Sequence, residues 1–308
     1  MGEAPQLPEK MDERKKKAVN DILMEAARRL PPPPANVIAR DSGVPNGPKV
    51  RLYTPTGSQA THLPIVLFAH GGGWFAGNLE TEDRTCRMMS SMVPACVVSV
   101  EYRCDFDIPL KDMVDDLYSA FEWTRGNNLC EGADNGKMVL WGGSAGGTLV
   151  TSLMYRIIQD GKAEQVAGLV SMNSLHLHPN ATSQQYQHLN TSYNDNAGPL
   201  PFVSGEDTFN LYRHRNIEPP KTDLSLFPAA GGAEYLKGFP RTYIISSDND
   251  ASRDDSTVFE AALKDAGARV KRDNIVGLAH YFWSFDLPKA NAVFWDKLTN
   301  GVRWTVSS

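Results

Sequence analysis

Residues 138–147 read Met138-Val139-Leu140-Trp141-Gly142-Gly143-Ser144-Ala145-Gly146-Gly147. The first four are apolar, a short run that suits a strand buried on both faces of a parallel sheet. The stretch from Ala145 to Ile158 then reads as a helix. A strand therefore enters a helix through a glycine turn with one serine at its apex. Glycines two before and two after Ser144 keep side chains out of that crowded turn, and the helix N-terminus favours negative charge nearby. The plainer reading is a glycine-rich turn capped by a serine. Its strand–turn–helix setting is what makes this G-x-S-x-G count as a candidate nucleophile.

Working outward, similar apolar runs recur at Ile65–Ala69, Cys96–Val100, Val166–Val170 and Thr242–Ile245. Val37–Arg40 and Lys49–Tyr53 alternate weakly, as half-exposed strands do. Arg269–Val276 is also strand-like. Helical segments lie between them at Leu110–Thr124, Ser252–Ala266 and Pro288–Leu298, with Ser252 and Asp255 spaced as a capping box. Such alternation predicts a parallel α/β sheet. Val19, Ile22, Leu23, Ala26, Ala27 and Leu30 share one face of an N-terminal helix that Pro31–Pro34 terminate. Residues 176–240 break the rhythm, being rich in Pro, Asn and aromatic residues and without a clear sheet strand. The expected division is an N-terminal helix within 1–35 contributing to a cap, a core from 36–175 and 241–308, and a cap insertion at 176–240.

Two further groups complete a candidate site. His70-Gly71-Gly72-Gly73-Trp74 follows the run ending at Ala69, and backbone amides of such a loop can face the oxygen of a tetrahedral intermediate. The loop matches neither phosphate-binding glycine pattern. The expected donors are the amides of Gly71, Gly72 and Ala145. A serine nucleophile needs a base, and the chain order in this setting is Ser, then Asp or Glu, then His. Of seven histidines, His280 alone follows the last candidate acid. Asp248 and Asp250 lie in one loop, Asp254 and Asp255 in the next helical turn, and spacing does not separate the loop pair.

Together these residues resemble the hormone-sensitive lipase family of carboxylesterases, over nearly the whole chain from Lys49 to the last helix. His70–Gly73 carries the motif for which that family is known, and Trp141–Gly147 resembles its nucleophile elbow. Asp250-Ala251-Ser252-Arg253-Asp254-Asp255 resembles its D-x-L-R-D-E segment, and Gly277–Phe282 its G-x-x-H-x-F. The resemblance implies an α/β-hydrolase fold, a mostly parallel central sheet flanked by helices, with a helical cap. It also implies that Asp250 orients His280. The chain departs from the pattern at Gly143, where many members have Asp, and at Ser252, where leucine is usual. It departs again after Tyr102-Arg103, where Cys104-Asp105-Phe106-Asp107 replaces Leu-Ala-Pro-Glu. The general style is similar to fungal esterases of secondary metabolism.

Composition bounds the rest. The 308 residues are 41% hydrophobic and 22% charged, with net charge −5 and no basic stripe for nucleic acid. Arg14-Lys15-Lys16-Lys17 reads as a solvated helix face. Cys86, Cys96, Cys104 and Cys130 form no C-x-x-C pair, so no zinc site is expected, and ester hydrolysis by a serine, histidine and aspartate requires no metal or organic cofactor. Without an apolar leader or a long apolar span, a cytoplasmic protein with free thiols and no stable membrane insertion is expected. Asn180-Ala181-Thr182 and Asn190-Thr191-Ser192 are then chance matches to the glycosylation pattern. The expected reaction is hydrolysis of a small or medium, apolar ester by Ser144, Asp250 and His280, in a monomer or homodimer. Gly73, Trp74 and Phe202 are candidate substrate contacts, and Tyr186, Tyr193, Phe209 and Tyr212 extend the apolar character of the insertion. Acyl transfer, lactonisation or cyclisation by the same groups is one alternative. A non-catalytic receptor of the same fold is another, against which the presence of His280 argues.

Overall fold

Continuous apolar strands can be stable only if both faces of their sheet are covered, and that is how this chain folds. The computed structural model describes residues 12–57, 62–130, 132–198, 200, 202–220 and 223–307. Residues 1–11 of the expected N-terminal element lie outside the described residues. In chain order the elements are α1 (Glu13–Arg29), β1 (Val37–Gly43), β2 (Lys49–Pro55), β3 (Leu63–Ala69), α2 (Asp83–Met92), β4 (Cys96–Glu101), α3 (Leu110–Gly126) and β5 (Ala133–Gly143). There follow α4 (Ala145–Gln159), β6 (Val166–Met172), α5 (Ser192–Asp195), α6 (Gly205–His214), β7 (Arg241–Asn249), α7 (Arg253–Asp265), β8 (Val270–Ala279) and α8 (Pro288–Val306).

The eight strands form one sheet in the order β1-β2-β4-β3-β5-β6-β7-β8. β1 and β2 pair antiparallel, as do β2 and β4, and every later pairing is parallel. Side chains alternate across the sheet. Met138 and Leu140 of β5 join a core with α3, α4 and α7. Val139 and Trp141 face the other way, into a core that includes Met89 of α2 and Phe294, Leu298 and Val302 of α8. This is the mostly parallel, helix-covered sheet that the alternation of apolar runs and helical segments predicts.

Several local expectations are corrected. α2 has no counterpart in the sequence reading because only Thr85, Cys86, Met89 and Ser90 are buried, too few apolar residues to print a stripe. α8 continues well past Leu298, since Val302 and Thr305 are also buried against the sheet. The basic run is not a solvated face throughout: Lys15 is buried, and Lys16 reaches Asp105 Oδ2 at 2.6 Å. Ser252 makes no side-chain cap, so the expected box with Asp255 is absent; a reciprocal box forms instead between Ser204 and Asp207.

Residues 173–240 contain no strand of the sheet among the described residues, only an isolated bridge between His178 and Ala181. Two carboxylates of α7 tie this insertion down. Asp255 Oδ2 accepts from the Leu177 amide at 3.0 Å and from the Tyr193 hydroxyl at 3.3 Å. Asp254 Oδ2 accepts from the amides of Thr191 and Ser192 at 3.0 and 2.8 Å. Burial alone would raise the Asp254 pKa, but Arg253 and these amides outweigh it and hold the carboxyl below its ordinary 3.8. The stabilisation from the Asp254 clamp is therefore present above the carboxyl's unfolded pKa and is lost as pH falls through the lower folded one, whereas burial pushes the Asp255 carboxyl up.

Asp254→Ala leaves two backbone amides without their acceptor, at an expected cost of about 1–3 kcal/mol. Urea denaturation should show the loss, and amide exchange at Thr191 and Ser192 should accelerate. Unchanged exchange there would contradict the clamp.

Candidate active site

The turn after β5 carries Ser144 at φ 52° and ψ −126°. That conformation is costly for a residue with a side chain and persists only where the surroundings enforce it. The Ser144 amide bonds Met172 O at 2.8 Å, extending the strand, and Gly147 N–H returns to Ser144 O at 3.0 Å as the helix starts. Gly146 must lack a side chain, because a Cβ there would run into Ala69 O of β3. The result lifts the Ser144 hydroxyl off the end of the sheet.

Loops after β7 and β8 bring two more groups to the same edge. His280 Nε2 lies 2.8 Å from Ser144 Oγ, and His280 Nδ1 lies 2.8 Å from Asp250 Oδ2. All three residues are buried. An ionised carboxylate only accepts, so Nδ1 carries the proton and Nε2 of the neutral ring presents its lone pair to the serine. Asp250 Oδ1 accepts from the amide and hydroxyl of Ser252, each at 2.9 Å, and Oδ2 accepts from Asn173 Nδ2. Burial alone would raise the Asp250 pKa, but His280, Asn173 and Ser252 outweigh it and hold the carboxyl below 3.8. Of the loop pair that spacing left open, Asp248 instead accepts from the Gly277 amide at 2.6 Å.

The glycine loop departs from expectation in one donor. Gly71 N–H is already taken, donating to Tyr281 Oη at 3.1 Å. The amides of Gly72, Gly73 and Ala145 make no hydrogen bond among the described residues. Gly72 and Gly73 line the pocket with Ser144. Gly72 has φ +121° and sits where a Cβ would meet Ala76 O, so glycine is required. Trp74 is not a pocket contact: it is fully buried, and its indole N–H donates to Ala145 O at 3.1 Å, bracing the loop on the serine turn. His70 stacks on Tyr102, and burial lowers its pKa to about 4, so it is neutral near pH 7.

The pocket wall comes from separate parts of the chain. Val19 and Leu23 of α1 face Phe75, Phe202 and Leu211 across the space above Ser144. Phe202 and Gly73 therefore lie where substrate contacts were expected. The other insertion aromatics do not line it. Tyr186, Tyr193 and Tyr212 bond Asp265, Asp255 and Leu177 O, and Phe209 packs on Tyr193. Sequence reading missed Asn173, Ser252, Lys15 and Asp207. The last two are polar wall residues, and nothing in their local sequence marks them. Among the described residues no cluster of His, Cys, Asp and Glu could hold a metal ion, and no helix is long and apolar enough to cross a membrane.

A mostly parallel sheet with a serine, histidine and aspartate joined at its strand ends is the architecture of the α/β hydrolases, and the profile of an α/β hydrolase fold family matches residues 66–284. The chain belongs to the hormone-sensitive lipase-like family of α/β-hydrolase carboxylesterases and is a carboxylic ester hydrolase. It is 30% identical over 292 residues to a versiconal hemiacetal acetate esterase of Dothistroma septosporum, covering 94% of this chain and 88% of that one. It is also 30% identical to the esterase LipI of Mycobacterium tuberculosis, covering 85% of this chain and 80% of that protein. The crystal structure of a vibralactone cyclase superposes with a TM-score of 0.84 at 22% identity, covering 99% of this chain and 91% of that one, a likeness of fold.

If the Gly72 amide receives the reacting oxygen, Gly72→Ala, which displaces it, should lower kcat/KM by roughly two orders of magnitude. Steady-state kinetics on a short p-nitrophenyl ester checks this; near-wild-type turnover would remove Gly72 from the donor set.

Proposed function

We propose that the protein hydrolyses a small or medium-sized, largely apolar carboxylic ester through an acyl-enzyme on Ser144. The observation that supports this most is the unbroken hydrogen-bond chain from Ser144 Oγ through His280 to Asp250. Ser144 Oγ attacks the ester carbonyl while its proton passes to His280 Nε2. Asp250 holds the ring in the required tautomer and stabilises its charged form. The amides of Gly72, Gly73 and Ala145 receive the oxygen that gains charge. Collapse breaks the C–O bond, and His280 returns the proton to the leaving alkoxide. Water then gives a proton to the same nitrogen as its oxygen attacks, releasing the acid and restoring the serine hydroxyl.

The mostly aliphatic and aromatic wall favours an apolar acyl or alcohol group. Residues of α1 and α6 with Phe202 form the cap in this reading. A second reading has one observation behind it. Ser144 is only 6% exposed under that wall, so bulk water has limited access, and a hydroxyl of the substrate itself could take the acyl group. The fold likeness to a vibralactone cyclase is compatible with this outcome.

Ser144→Ala should lower turnover by at least about 1,000-fold and abolish labelling by a fluorophosphonate. Full esterase activity in that variant would sink the assignment. With the wild type, mass analysis of products from a hydroxy-ester separates free acid from lactone.

A further inference from the structure

Tyr281 links two parts of the site that the chain supplies separately. It follows His280 directly, yet its hydroxyl reaches the glycine loop, accepting from Gly71 N–H at 3.1 Å and donating to Glu82 Oε1. Both partners of that second bond are buried. The fit is close: a Cβ on Gly71 would stand 2.5 Å from Tyr281 Oη. Tyr281 also holds φ +58°, and its ring packs against Trp283 with centroids 4.4 Å apart. A buried carboxyl beside the active site that no step of the hydrolysis uses needs a reason, because burying it without a partner is costly.

We propose that Tyr281, held in place by Glu82, is a positioning residue that sets the oxyanion loop. By taking up Gly71 N–H it leaves the next two amides, those of Gly72 and Gly73, facing the oxygen that gains charge at Ser144. The polarity of the chain supplies the logic. Glu82 Oε1 accepts, so the phenol proton must point at it, and a lone pair of Tyr281 Oη is left for Gly71 N–H. With its proton on Oε2 the neutral carboxyl still offers Oε1 as an acceptor, so the role does not require the ionised form. Because Tyr281 adjoins His280, the base and the oxyanion donors are fixed to one short segment. This inference rests on the Ser144 acyl-enzyme reading.

The test uses the full chain and begins with fluorophosphonate labelling of wild-type Ser144; failure to label would overturn the acyl-enzyme reading and this inference together. Given labelling, three variants are compared on p-nitrophenyl butyrate: Tyr281→Phe, Glu82→Gln and Glu82→Leu. Tyr281→Phe keeps the ring and removes only the hydroxyl. It should lower kcat by about 10- to 100-fold, less than deleting a donor outright, while KM changes by less than about threefold. A trifluoromethyl ketone, which forms a tetrahedral oxyanion on the serine, should bind more weakly by a similar factor. Glu82→Gln retains the acceptor oxygen and should keep most activity, whereas Glu82→Leu should repeat the Tyr281→Phe pattern. This contrast also serves if Tyr281→Phe does not fold. A merely structural role would move stability without this split. Wild-type kcat and ketone affinity in Tyr281→Phe, or equal behaviour of Glu82→Gln and Glu82→Leu, would overturn the inference.

Discussion

Asp250 is a carboxylate with almost no contact with solvent, and much of the site's geometry follows from satisfying it. A buried charge is tolerated only when its lone pairs are all met. Here the donors come from three loops: Asn173 after β6, Ser252 before α7, and His280 after β8. Those loops converge because β6, β7 and β8 are parallel neighbours whose C-terminal ends share one edge. β5 ends at that edge too, which puts Ser144 within reach of the far nitrogen of His280. The parallel register and the buried charge thus reinforce each other.

Around this centre the backbone is held in several conformations that residues with side chains avoid. Ser144, Asn173, Trp74, Phe202 and Tyr281 all have positive φ. Several of them are held by a neighbour from elsewhere in the chain. The Trp74 indole is bonded to Ala145 O, Asn173 N–H to Ile245 O, and the Tyr281 hydroxyl lies between Gly71 and Glu82. Cooperative packing of this kind offsets local strain and gives the loops a rigidity that their composition alone would not provide. The insertion is anchored in the same spirit, with Asp254 and Asp255 accepting from its backbone amides.

The parts legible in the sequence were those with a local signature. An apolar run of β5 type, a glycine-flanked serine and a His-Gly-Gly-Gly loop each announce a backbone geometry that few other residues permit. His280 could be singled out by chain order. Asp250 could not be separated from Asp248 by spacing, and only the family resemblance pointed to it. In the fold the two differ plainly, since Asp248 is turned to the Gly277 amide and Asp250 to the imidazole. The Gly71 amide shows the opposite failure. The loop's glycines are plain in the sequence, but the hydrogen bond of this amide goes to a tyrosine 210 positions away.

The sequence by itself determined the layered sheet and the serine turn, together with the candidate histidine. These rest on hydrophobic periodicity and on glycine's freedom, both properties of a few consecutive residues. Tertiary structure alone decided which amides stay free, which aspartate meets the imidazole and which aromatic rings line the pocket. Tyr186, Tyr193 and Tyr212 look no different from Phe202 along the chain, yet their hydroxyls bond Asp265, Asp255 and Leu177 O while Phe202 lines the pocket with Ser144. The reason is physical: a hydrogen-bond partner or a pocket wall is a relation between distant segments, fixed only once the strands have set their ends side by side.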